Sequence, residues 1–277
     1  MSTKFHKSPE QRHADDLRRL RKFRPIDDTF MRAMFRNNAP LAQLVLRIIL
    51  DKPDLMVTSC ETQADMKRVT GARSACLDAY AADSTGKKYD IEVQRDDKKA
   101  DPHRARYHSS VMDVENLDEN EDFTALPDTY VVFITEDDYY EEGKPLYVIQ
   151  HMNITLNQPF GDGTHILYVN GQYRGDSEMG KLMHDFCCAD PDEMYYKLFA
   201  DKTRYLKEST EGVSEMCRAM EELRNEGVEE GIEIGVCEFA RKLHQQGKSV
   251  KEIEQTAALM GYTPEDVAEW LAPEAAV

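Results

Sequence analysis

Apolar positions along the chain fall into short runs whose period shifts from helical to extended and back, with charged or turn-forming stretches between them. After a polar start, residues 13–20 carry the first helical period. Pro25 and Asp27 then mark the start of a second helix, Asp being a favoured N-cap. Phe30, Met34 and Phe35 give that helix an apolar face. Residues 41–50 are apolar almost all round, the pattern of a helix buried on most sides, and Lys52, Pro53 and Asp54 end it. Residues 56–64 read as a short strand. Residues 74–83 and 87–94 are apolar-rich runs about a polar turn that ends in Gly86, a hairpin signal. A helix follows from Pro102, with Ala105, Ser109, Val111 and Met112 spaced for packing. Residues 129–135 are β-branched and aromatic throughout, as in a strand buried on both faces. Residues 146–152 and 165–169 supply two more strands on either side of the turn-rich stretch 157–163. Residues 175–187 and 192–207 read as helices, the second capped by Asp190 with Pro191 at its start. Helices and strands interleave, which predicts an α/β fold with a central mixed sheet flanked by helices.

The hairpin concentrates the candidate chemistry. With the turn centred on Thr85, Asp78 faces Glu92 and Cys76 faces Gln94. Side chains alternate along a strand, so Asp90, Glu92 and Gln94 share one face while Tyr89, Ile91 and Val93 share the other. Cross-strand neighbours approach within roughly 5 Å. Carboxylates so placed repel one another unless a cation, a proton or solvent separates them, and a hard divalent cation with oxygen ligands resolves the conflict. A solvated acidic face is the other reading of the same pattern. A bulge at Gly86 would slide the pairing by one residue and send the carboxylates to opposite faces.

Charge and composition narrow the partners. At 277 residues the chain is long enough for one large domain, or one domain with a small appendage. No run approaches the roughly 18 apolar residues that a spanning helix needs. No apolar leader is evident at the start, so a cytoplasmic protein without a membrane partner is expected. The six cysteines show no paired metal spacing, and reduced thiols are the expectation. The formal net charge of −17 opposes nucleic-acid binding, which rests on Lys and Arg contacts to phosphate. The charge is uneven, however: residues 1–36 hold ten Lys and Arg against five acids. That stretch is either a basic face or a soluble tail. Arg68 and Arg73 precede the hairpin as phosphate ligands or as balance for nearby acids. Arg104, Tyr107 and His108 lie on the helix after it, within reach of the strand ends or on a solvated face. His103 and His108 are five apart, a poor spacing for joint metal ligation on a helix.

The C-terminal part is acidic. Gly227, Gly231 and Gly235 recur every four residues, which reads either as a helix built for a close helix–helix contact, driving self-association into a homo-oligomer, or as a flexible linker. Residues 236–271 look like a small helical appendage. Ser249 caps one helix there, Gly261 breaks it, and Thr263 with Pro264 starts a second.

Asp78 followed fourteen residues later by Glu92-Val93-Gln94 resembles the acidic core of the PD-(D/E)XK nuclease superfamily. The resemblance is closest to its branch of nuclease-family transposases, or recombination-promoting nucleases. The segments 27–35, 104–107, 130–135, 161–166, 183–186 and 190–194 are similar to recurrent segments of that branch, in order, so the likeness runs from about Phe23 to about Gly235. It implies a restriction-endonuclease-like core with a helical C-terminal extension. The organisation it suggests is a basic N-terminal segment (1–22), a nuclease-like domain (23–210), a charged Gly-repeat helix or linker (211–235) and a helical appendage (236–277). It also implies Mg²⁺- or Mn²⁺-dependent hydrolysis of DNA phosphodiester bonds. Asp78, Glu92 and the Val93 carbonyl would be ligands, Asp78, Glu92 and Gln94 the catalytic set, and Asp28, Asp90, Arg104 and Tyr107 supporting residues. Gln94 stands where the superfamily's general form has Lys; it orients by hydrogen bonding but carries no charge. The competing expectation is a degenerate member that binds nucleic acid or protein without cutting.

Overall fold

The computed structural model describes residues 8–66, 75–95 and 100–272, so Arg68, Arg73 and positions 96–99 of the charged run lie outside the described residues. Helix α1 (Pro9–Leu20) opens with Ser8 and Gln11 bonding reciprocally across its first turn. Helices α2 (Asp28–Phe35) and α3 (Ala39–Leu50) follow, and the Asn38 side chain caps α3. Asp27 occupies the N-cap position of α2 without capping it. Its carboxylate accepts the Arg24 backbone N–H at 2.7 Å and pairs with the Arg24 and Arg95 side chains.

The strands are β1 (Val57–Met66), β2 (Ala75–Asp83), β3 (Lys88–Gln94), β4 (Thr129–Thr135), β5 (Leu146–Ile149), the short β6 (Met152–Asn153) and β7 (Gln158–Pro159), and β8 (Thr164–Asn170); α4 (Pro102–Glu115) lies between β3 and β4. Among the described residues six of them form one mixed sheet in the order β1-β2-β3-β4-β8-β5. β1, β2 and β3 are antiparallel, β3, β4 and β8 parallel, and β5 returns antiparallel on β8. β4 is buried along its whole length, which places it at the centre. Leu77, Ala105, Met112, Val131, Phe133 and Tyr168 form one core cluster, with α4 against β4. Helix α2 packs on β1, β2 and β3. Phe35, Phe186 and Phe199 join α2 to α5 (Glu178–Cys187) and α6 (Lys197–Glu208), with ring centroids 6.5 and 5.1 Å apart.

The hairpin pairs Ala79 with Ile91 and Ala82 with Lys88, the register centred on Thr85, without a bulge at Gly86. Asp83 fixes that turn. Its Oδ1 accepts from the Thr85 and Lys87 backbone N–H groups and the Thr85 hydroxyl, and its Oδ2 from the Tyr89 hydroxyl. Gly86 takes φ +90°, where a side chain is strained.

Two elements differ from the pattern reading. The expected strand at 146–152 stops at Ile149, because Met152 and Asn153 turn aside to pair with Pro159 and Gln158. The expected helix at 192–207 begins only at Lys197, after a single 3₁₀ turn at Pro191–Glu193. The cause is Asp185, fully buried, whose two oxygens accept the backbone N–H groups of Tyr195 and Tyr196 at 2.9 and 2.8 Å. Those N–H groups are thereby held out of a helical ladder.

The chain forms two compact units, Met1–Cys217 and Arg218–Val277, and the division falls within α7 (Thr210–Gln245). Gly227, Gly231 and Gly235 are thus helical. A Cβ built on any of them meets no described atom within 4 Å, so the close helix contact expected of the stripe is not made within the described chain. In the second unit α8 (Val250–Ala258) and α9 (Pro264–Leu271) each begin with a reciprocal capping box, at Ser249 and Thr263. They bury Ile253, Ala257, Val267 and Trp270 with Ala240 of α7.

Candidate functional site

The hairpin register carries Asp78 to the level of Glu92, and the two strands are tied there by an unusual bond. The Asp78 backbone N–H donates to the Glu92 carboxylate Oε1 at 3.0 Å. Asp90 and Glu92, two residues apart on β3, both turn toward α4 and are fully buried; Asp78 is 4% exposed. Helix α4 is held in place by its N-cap Asp101 and by Ala105 and Met112 in the core. It sends two side chains, four residues apart, to meet the acids. Arg104 Nη2 reaches Glu92 Oε2 at 2.8 Å, and His108 Nδ1 lies 2.8 Å from Asp90 Oδ2.

The Arg104 Nε–H also donates to His108 Nε2 at 3.2 Å. A guanidinium N–H is always a donor, so Nε2 accepts, and the proton sits on Nδ1 facing Asp90. The imidazole is neutral, in keeping with burial, which lowers its pKa. Gln94 Nε2 donates to Glu92 Oε2 at 3.3 Å. A second guanidinium comes from α2: Arg32 contacts Asp78 Oδ1 through Nε at 3.3 Å and Nη2 at 3.2 Å, and holds Asp28 at 3.1 Å.

Positive charge at this point falls short of the acids. Burial, and next the Glu92 charge, push the Asp78 carboxyl up to about 8, against the pull of Arg32 and Arg104. Burial and the Asp90 charge push Glu92 up to about 8 as well. Asp90 is raised well above the ordinary carboxylate range, by burial first and the Asp78 charge second. Its Oδ1 is buried with no hydrogen-bond partner among the described residues. A buried carboxylate oxygen left unpaired costs free energy that a cation would offset. Donor atoms of Asp90, Glu92 and His108 lie within 4.8 Å of one another. Oxygen donors with at most one imidazole suit a divalent cation, so the residues present fit one.

The expected residues are distributed as follows. Asp78, Asp90, Glu92, Gln94 and Arg104 come together. Val93 lies between Glu92 and Gln94 with its side chain buried. Asp28 stands at the edge with a half-exposed side chain, its partner being Arg32. Tyr107 packs against the core cluster beside α4. One contributor, Arg32, goes unmarked in the sequence, whereas His108 is placed there within reach of the strand ends. Arg32 follows Asp28 by one helical turn, and His108 follows Arg104 by one, so i, i+4 pairing on each helix was the available signal. A cleft of about 380 Å³ bounded by Lys52, Asp83, Lys87 and Tyr89 lies at the turn end of the hairpin, away from the acids.

A family model described as PD-(D/E)XK nuclease family transposase matches residues 34–173, half of the chain. The match contains Asp78, Asp90, Glu92, Gln94, Arg104 and His108, and leaves Asp28 and Arg32 outside. No curated protein and no solved structure matches the chain.

Proposed function

The chain belongs to the PD-(D/E)XK nuclease family of transposases, and from that membership we propose that it is a divalent-metal-dependent endonuclease that hydrolyses DNA phosphodiester bonds in transposition or recombination. The observation that carries the reading is the meeting of Asp78, Asp90 and Glu92 in a buried site short of positive charge. Asp78 and Glu92, with the Val93 carbonyl, would hold Mg²⁺ or Mn²⁺, and Asp90 with its His108 partner borders them. A bound ion of this kind polarises the scissile phosphate and lowers the pKa of an attacking water.

The remaining work falls to the chain. Glu92 is held at Oε1 by the Asp78 N–H and at Oε2 by Arg104. Gln94 bonds that same Oε2 and orients it. In place of the usual Lys it adds no charge to offset the leaving group, so turnover rests more heavily on the ion and on Arg104. His108, held neutral between Arg104 and Asp90, keeps Asp90 turned inward.

A second reading, a family member that binds without cutting, is favoured by the net charge of −17 and by Gln94 itself. Nicking of supercoiled plasmid in Mg²⁺ or Mn²⁺ separates the two. The native chain is expected to nick, EDTA to stop it, and Glu92→Ala and Glu92→Gln each to reduce the rate at least about a hundredfold. Glu92→Gln keeps an acceptor for the Asp78 N–H, so its loss is chemical rather than structural. Nicking that survives both variants would point to another site or to a contaminant, and no nicking with either metal would move the assignment to the non-cutting binder.

A further inference from the structure

The two guanidiniums at the site come from different helices, and each sits on a different proposed metal ligand: Arg32 of α2 on Asp78, Arg104 of α4 on Glu92. Each takes one oxygen of its ligand. On Glu92 the backbone N–H of Asp78 already holds Oε1, and Arg104 takes Oε2. On Asp78 both contacts of Arg32 fall on Oδ1. The carboxylate side chains are 6% and 0% exposed, whereas those of Arg32 and Arg104 are 28% and 35% exposed, so the guanidiniums border solvent and the acids do not. Each arginine also has a partner to keep if it lets go. Arg32 retains Asp28, itself half-exposed at the first turn of α2, and Arg104 stands over the Phe133 ring at 6.0 Å.

Resting on the metal-dependent reading above, we propose that Arg32 and Arg104 are exchangeable counter-ions: they neutralise Asp78 and Glu92 in the metal-free protein, leave them when a divalent ion is bound, and then ligate the backbone phosphates of the nucleic-acid substrate. The physical grounds are shared. A guanidinium and a divalent cation satisfy the same buried carboxylate oxygens, and a site that is short of positive charge with both arginines in place has reason to trade up to a divalent ion. Once off the carboxylates, a planar guanidinium at the solvent border matches a phosphate in bidentate geometry. Two such groups flanking one site would grip the diester on both sides of the cut.

The test uses the full chain and two readouts other than cleavage. Mn²⁺ binding is measured by calorimetry on the DNA-free protein, and binding of a short fluorescent duplex is measured in Ca²⁺. Losing one hydrogen-bonded charge pair that competes with the ion should tighten Mn²⁺ binding about tenfold in Arg32→Gln and in Arg104→Gln. The same variants should bind the duplex about tenfold more weakly for want of a phosphate ligand. Arg32→Lys, which keeps the charge, should stay near the native Mn²⁺ affinity and so separates competition from misfolding. Unchanged or weaker Mn²⁺ binding in the Gln variants, with Asp78→Asn still abolishing it, overturns the exchange and leaves the metal site standing. Tighter Mn²⁺ with undiminished duplex binding overturns it too. No Mn²⁺ bound by the native chain or any variant overturns both this proposal and the reading beneath it.

Discussion

The acids of this site are held in the folded chain with a greater hold on protons than they have free. The ordinary pKa of Asp and Glu lies near 4, and those of Asp78 and Glu92 are raised to about 8 by burial and by each other's neighbours. Between those limits the folded state keeps protons that the unfolded chain has released, so metal-free stability falls as pH rises through that window. His108 acts in the opposite sense, since its pKa is lowered, but it involves one proton and only the part of the window below its ordinary value of 6.5. In EDTA the melting temperature of the native chain should therefore drop from pH 5.5 toward about 8. The fall should amount to at least about 1 kcal/mol, since one pKa unit on one group already carries roughly 1.4. Asp78→Asn should flatten the slope, and saturating Mn²⁺ should remove it, because the ion requires the ionised carboxylates. Thermal melts across that range decide it; a native chain that grows more stable toward pH 8 without metal contradicts the charge shortage at the site.

Among the elements, those shaped by local patterns were legible and those shaped by one distant side chain were not. The hairpin register followed from a polar turn ending in glycine, and β4 from seven consecutive strand-forming residues. The shortened α6 did not, because its start is set by Asp185, ten and eleven residues upstream of the N–H groups it accepts. Nor did the role of Arg32, which meets Asp78 across 46 residues of sequence. Asp185 makes the point measurable. Replacing it with Ala strips the Tyr195 and Tyr196 N–H groups of their acceptor at a fully buried position and should cost about 3 kcal/mol. The variant's denaturation midpoint should fall while its Mn²⁺ affinity stays native, since the acids of the hairpin are not touched. A midpoint within error of the native would mean that helix packing alone, through Phe186 and Phe199, sets where α6 begins.

For the molecule as a whole, the two compact units make cooperativity the open physical variable. The chain has a single tryptophan, and it lies in the second unit: Trp270 is 8% exposed, edge-on to Tyr262 at 4.9 Å, with its carbonyl accepting from Arg241 Nε. Tryptophan fluorescence thus reports the C-terminal helices and nothing of the sheet. That unit has a small core, and small cores are marginal. In urea its fluorescence transition should come before the loss of far-UV helicity and sheet signal is complete, giving transitions that do not coincide. Coincident curves would instead mean that both units unfold as one. No helix among the described residues is long and apolar enough to cross a membrane.

The hairpin's place in the chain has a consequence for how the site comes into being. Synthesis runs from Arg32 through Asp78, Asp90 and Glu92 to Arg104 and His108, and all of them have been made before the first residue of β4 is added. The parallel strand β4, which covers the other edge of β3, and β8 beyond it arrive later. A nascent chain therefore already contains both the carboxylates and their balancing arginines before the strand that closes the open edge of the hairpin is made. The arginines carried by α2 and α4 are on hand as chaperones of that charge from the start, rather than being added to a finished sheet.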